Sequence, residues 1–197
     1  MVKLYVVRHG ETDSNIRQSC IGQKDVPLND NGRLQAEALS DRLKDVGFDA
    51  AYTSPLQRAA DTLWEVLKKQ RDVRVVQSYD LIERDYGIFD DMTYREIAEK
   101  YPAEFDEWKS DWIYYKIPEG ESSAEVQERV NRALDKIIET EDGKTVLIVT
   151  HLGAARQIIS HALDLTIEDS WHFALDNARA AVLEIDKDRR LLTGLNI

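Results

Sequence analysis

The stretch GKTVLIVTH, residues 143–151, constrains this chain more than any other. Val146 to Val149 form an unbroken apolar run between two threonines. Such a short run without polar alternation suits a strand buried on both faces, as in a parallel sheet covered by helices. It leads directly into a helical pattern from about Gly153 to Ala162. The same order recurs upstream. Leu4–Val7 is a second buried-looking strand. LNDNGRLQAEALSDRLKDVGFD (28–49) then places Leu34, Ala38, Leu39, Leu43 and Val46 at helical spacing, with Asn29 or Asp30 as N-cap and Gly47 as stop. AAYTS (50–54) is a third strand, and Pro55 opens a helix through Leu56, Ala60, Leu63, Trp64 and Leu67. VRVVQ (73–77) is a fourth strand. SSAE (122–125) has capping-box spacing and predicts a helix to about Glu139. AAVLEID and RLLTGLNI close the chain as a hairpin around Lys187 and Asp188.

Strands alternating with helices predict an α/β fold, a three-layer α/β/α sandwich with a mostly parallel central sheet. Residues 84–130 break the alternation and read as a helical insertion over the active-site end of the sheet. No linker separates a second domain, and 197 residues suit one domain spanning 1–197.

The net charge of −11 argues against a nucleic-acid partner, which requires a basic face, but not against a small anion in a local pocket. No apolar run approaches the roughly 20 residues of a membrane span, so no membrane partner is expected. No signal-peptide pattern is visible at the N-terminus. Cys20, the single cysteine, excludes an internal disulfide and fits a reducing cytosol, so a cytoplasmic location is expected.

In open α/β sheets, ligands bind beyond the carboxyl ends of the strands. Arg8 and His9 follow the strand Leu4–Val7, Ser54 to Arg58 stand at the end of the strand AAYTS, Glu83 follows the segment after VRVVQ, and His151 the run TVLIVT. Singly, each has an ordinary structural reading: a satisfied strand-end histidine, a solvated helix arginine, a loop acid. Together they make a compact cationic pocket. Arginine forks match phosphate oxygens, and a helix N-terminus adds backbone donors, so a small-molecule phosphate monoester is the natural ligand. Neither His-x-His nor His-Glu-x-x-His occurs, and neighbouring arginines repel a cation. Neither metal nor cofactor is expected. His161 reads as a partner for its helix C-terminus and His172 as a surface or packing residue.

Arg8-His9-Gly10-Glu11-Thr12 with Asn15 resembles the signature of the histidine phosphatase superfamily, the phosphoglycerate mutase-like proteins. PLNDNGRLQAEAL, TSPLQRAADT, ERDYG (83–87), GES (120–122) and VTHLGAAR are similar to five further motifs in the family's order. The resemblance implies a phosphatase in which His9 is the nucleophile that becomes phosphorylated and Glu83 the general acid and base. It implies that Arg8, Arg58 and His151 hold the phosphoryl oxygens, and that Asn15 and the backbone near Gly22, Gln23 and Leu152 add donors. Gly10 is expected to free the backbone for a tight turn beside the ligand. A mutase and a non-catalytic phosphate-binding module are the alternatives. Asp91 and Leu152 stand where relatives usually carry glycine. The aromatic segment 101–117 either packs the insertion onto the sheet or lines the mouth of the site.

Overall fold

The computed structural model describes residues 1–197. A six-stranded sheet forms its centre. β1 (Val2–Arg8) pairs in parallel with β6 (Thr145–Thr150), β6 with β3 (Ala50–Thr53), and β3 with β4 (Arg74–Gln77). On the other side of β1, β7 (Ala180–Ile185) runs antiparallel and turns back into β8 (Arg190–Gly194). The sheet order is β4-β3-β6-β1-β7-β8. The closing hairpin is therefore the antiparallel edge of an otherwise parallel sheet.

The period of two along a strand sends alternate side chains to opposite layers. Leu4, Val6, Val146 and Ile148 face α6 (Ser123–Thr140) and α7 (Leu152–Ala162). Tyr5, Val7, Leu147 and Val149 face α2 (Asp30–Leu43) and α3 (Gln57–Leu67). An unbroken apolar run is what two covered faces require. The α/β/α sandwich follows from it.

The helix starts are set by side chains. Asn29 caps α2 by accepting from the Gly32 N–H at 2.8 Å, and Ser122 with Glu125 forms the capping box of α6. Two helical registers differ from the sequence reading. In α2 the buried face is Ala36, Leu39 and Leu43, while Leu34 is 63% exposed. In α3 it is Ala59, Thr62, Leu63 and Val66, while Trp64 is 52% exposed. Small residues at the close helix contacts displaced the larger apolar ones. The helix α3 also begins two residues after Pro55, with Leu56 at its N-cap.

The insertion carries α4 (Tyr94–Lys100) and α5 (Pro102–Ser110), and the short strand pair β2 (Ser19–Cys20) and β5 (Met92–Thr93) ties it to the segment after β1. It has a core of its own, built on Cys20, Phe89, Ile97, Trp108 and Ile117. The aromatic residues pack against one another there, not onto the sheet. The expected boundary at 130 also moves. Val126, Val130 and Leu134 of α6 belong to the core under the sheet, so the irregular segment ends near Ser122. Asp91 takes a left-handed conformation (φ 60°), which aspartate tolerates better than most residues. It makes the turn expected of a glycine and pairs with Lys24 and Arg17.

Candidate active site

The carboxyl ends of β1, β3 and β6 meet at one end of the sheet, and the predicted site residues converge there. His9 follows β1 directly and is 3% exposed. Its Nδ1 is 2.7 Å from the Gly10 carbonyl oxygen. A carbonyl only accepts, so Nδ1 carries the proton and Nε2 keeps a free lone pair. Burial, then the charge of Arg58, holds the imidazole well below its usual range and therefore neutral. The Gly10 backbone is in an ordinary conformation. Its glycine is needed for another reason: a Cβ there would meet the Gly32 carbonyl at 2.5 Å, because the start of α2 packs directly on this loop. The Gly10 N–H donates to Thr62 Oγ1 from α3 at 3.0 Å, which explains the polar residue on that buried helix face.

His151 follows β6 and forms the N-cap of α7, fully buried, with its ring centroid 5.2 Å from that of His9. Its Nε2 is 2.8 Å from Ser54 Oγ. The Leu56 N–H already donates to that hydroxyl, so the serine proton goes to Nε2. His151 Nδ1 then bears a hydrogen with no partner in the protein. Burial and Arg58 lower this imidazole as well.

Arg58 lies in the first turn of α3 and is fully buried. Its Nη atoms donate to the Gly22 carbonyl at 2.7 Å and the Lys24 carbonyl at 3.0 Å. Arg8 donates from Nη1 to the Leu175 carbonyl at 3.0 Å. In both arginines Nε is buried without a partner. Three N–H groups, Arg8 Nε, Arg58 Nε and His151 Nδ1, thus lack partners in residues close enough to His9 for both arginine charges to depress it. Buried donors in this state are costly to a protein unless a ligand completes them.

Glu83 reaches the site on a turn anchored to the sheet: the Ser78 N–H bonds the Thr53 carbonyl, and Thr150 Oγ1 donates to the Leu81 carbonyl at 2.6 Å. Its carboxylate accepts from the Arg84 N–H at 2.8 Å and the Gly153 N–H at 3.1 Å. Gly153 leaves the space it occupies; a Cβ there would collide with Oε1. Glu11 and Asp85, the other acids of these motifs, are spent elsewhere: Glu11 accepts from Asn29 and Asn31, and Asp85 from the Gly87 N–H.

Asn15 closes the opposite wall. Its Oδ1 accepts from Thr12 N–H, Thr12 Oγ1 and Asn177 Nδ2, which leaves its own amide protons for the cavity. Leu152 and Gln23 have backbone N–H groups without protein partners, and Leu152 lines the cavity. Gly22 differs from its expected part. Its N–H is taken by Asp90 at 2.7 Å, and its carbonyl orients Arg58.

The reading from sequence missed Asn177 and Arg129. Asn177 donates to the His9 carbonyl at 3.0 Å from 168 positions away. Arg129 binds Glu121 and the carbonyls of Asp80, Ile82 and Glu83. Neither lies in a local pattern; a buried arginine on the inner face of an amphipathic helix was the available sign. His161 lies in the last turn of α7 and also bonds Asp135 of α6 at 2.8 Å. His172 is exposed.

The site opens into a cavity of about 280 Å³ walled by Tyr86, Tyr94, Trp108, Trp112 and Trp171, so part of the aromatic segment does line the mouth.

Comparison with known proteins gives this geometry a context. The profile of the histidine phosphatase superfamily (branch 1) matches residues 4–197. Phosphoserine phosphatase 1 of Hydrogenobacter thermophilus is 32% identical over 197 residues, covering 100% of this chain and 93% of that protein. The crystal structure of α-ribazole phosphatase from Shigella flexneri matches with a TM-score of 0.92 at 30% identity, covering 99% of this chain and 96% of that one. A mycobacterial glucosyl-3-phosphoglycerate phosphatase, solved with VO3, matches with a TM-score of 0.85 at 25% identity over 98% of each chain. On a profile that spans nearly every residue, the chain belongs to the histidine phosphatase superfamily, branch 1.

Proposed function

We propose that this phosphoric monoester hydrolase works through a phosphohistidine on His9. The observation that carries the reading is three buried donors without partners beside a neutral imidazole whose free nitrogen is Nε2. A phosphoryl group bound there would satisfy all three donors at once. Its oxygens accept from Arg8, Arg58 and His151, while Nε2 faces phosphorus. Asn15 and the Leu152 N–H at the start of α7 add donors, and the helix N-terminus favours the anion.

Nε2 attacks phosphorus as the ester P–O bond breaks. Glu83, protonated, gives its proton to the departing oxygen, and the alcohol leaves. The three donors hold the oxygens as charge redistributes in a loose transition state. Glu83, now a carboxylate, takes a proton from water as that water attacks the phosphohistidine. Phosphate departs, His9 is neutral again and Glu83 is again protonated.

Hydrolysis of a chromogenic aryl phosphate with chelator present tests the reading. Wild-type protein should turn over and His9→Ala should fall to background while remaining folded. A folded His9→Ala protein retaining more than a few percent of turnover, or wild-type activity restored only by added metal, overturns the proposal.

A further inference from the structure

Resting on the phosphatase reading, we infer that the cavity takes phosphate esters whose leaving group ends in a carboxylate, and that Arg156 receives it. Among the aromatic walls, Trp108 is closed to a stacked ring, while Tyr94 and Trp171 are about half exposed at the rim. Trp108 lies parallel to Tyr94 with centroids 5.5 Å apart and has the Arg84 guanidinium 5.5 Å from its centre. Trp171 carries Arg156 at 4.7 Å and meets Trp112 edge-on. The rings shape the cavity, and the charged group among them decides what its far end recognises.

The cations tell the two arginines apart. Arg84 is fully engaged: Nε with the Glu121 carbonyl, Nη1 with Ser123 Oγ and Nη2 with the Tyr115 carbonyl. Arg156 is not. Its Nε donates to the Phe173 carbonyl at 2.8 Å, which together with Trp171 fixes the plane of the guanidinium. Its two Nη groups have no partner, and no carboxylate comes within ion-pair distance. Glu83 is the sole acid lining the cavity, and the Arg84 and Gly153 backbone N–H groups hold it. A half-buried guanidinium with a fixed plane and a free end presents the planar fork that pairs with a carboxylate.

The helix α7 gives the spacing. Leu152, Gly153, Arg156 and Gln157 line the cavity, one face of the helix over two turns. Leu152, at the phosphoryl end, is four residues from Arg156, a rise of about 6 Å. That suits a short carbon chain between phosphate and carboxylate.

The test compares two alkyl phosphates of one shape, ending in a carboxylate or in a carboxamide. Wild-type kcat/KM should favour the carboxylate by about one to two decades, the size of a charge-assisted pair. In Arg156→Gln that ratio should fall to near one, and Arg156→Lys should restore part of it. A ratio near one in wild type, or one unchanged in Arg156→Gln, overturns the inference. Orthovanadate inhibition weakened as much as the ratio would put Arg156 with the phosphoryl group and overturn it too. Failure of the phosphatase reading shows separately, as turnover of both esters by His9→Ala.

Discussion

His9 and Glu83 are each defined by what their partners leave free. The Gly10 carbonyl takes one nitrogen of His9 and leaves the other; two backbone N–H groups fix Glu83 and leave its proton-carrying capacity at the site. The division of labour between them separates experimentally. An alkyl phosphate departs as a strongly basic alkoxide and needs the proton from Glu83, whereas a nitrophenyl ester departs as a weak base and does not. Glu83→Gln should slow the alkyl ester by about 10²–10⁴. With the nitrophenyl ester it should give a burst approaching one phenolate per site, then slow turnover. Equal slowing of both esters without a burst, in a folded variant, would move the acid–base role elsewhere. At this scale the sequence was most legible. Each charged residue at a strand end has an ordinary structural reading alone, but their coincidence does not, and the motifs around His9, Arg58, Glu83 and His151 are local. Asn177 was not legible, because its bonds to the His9 carbonyl and Asn15 cross most of the chain.

Elements carry these residues to one point, and their ends do the aiming. Arg58 is rigid because the loop after β2 turns two carbonyls toward it, and Asp90 from the insertion holds that loop by the Gly22 N–H. Arg129 of α6 does the same for the Glu83 segment, binding the carbonyls of Asp80, Ile82 and Glu83 and the Glu121 carboxylate. Arg58→Ala should weaken orthovanadate inhibition by about one to two decades, since a charge-assisted bond contributes roughly 1.5–3 kcal/mol. Unchanged inhibition would place Arg58 outside the phosphoryl pocket. Strand and cap signals located most elements, because a buried run and a capping box are statements about the backbone. Helix registers were less legible. Trp64 and Leu34 read as core by type, yet the packing of α2 against α3 buries Ala36, Ala59 and Thr62 instead. The insertion boundary was hidden for a related reason, since α6 begins at the insertion and continues into the main core.

Across the whole molecule, the site makes the fold acid-sensitive. His9 and His151 are buried and held well below the usual imidazole range, by burial first and Arg58 second. Unfolded, each binds a proton near pH 6.5. Below that value the unfolded chain takes up protons that the native state refuses, so stability is lost as pH falls from about 6.5 toward the depressed native values. His9→Ala removes one such group. Its stability relative to wild type should improve by roughly 1 kcal/mol between pH 6.5 and 5.5, read from denaturant midpoints. A difference that stays flat over this range would mean that His9 takes up protons in the native state as readily as in the unfolded chain. The layered sheet was legible from strand alternation alone; the strand order was not, because it depends on crossovers that no single segment encodes. The proposed mechanism turns on one covalent bond. Glu83→Gln protein quenched soon after mixing with nitrophenyl phosphate should carry close to one acid-labile phosphate per chain. Peptide mapping should place it on His9, and phosphorus NMR on Nε2, the nitrogen that Gly10 leaves free. Phosphate on His151, on the other nitrogen, or nowhere, with the burst still present, would contradict it.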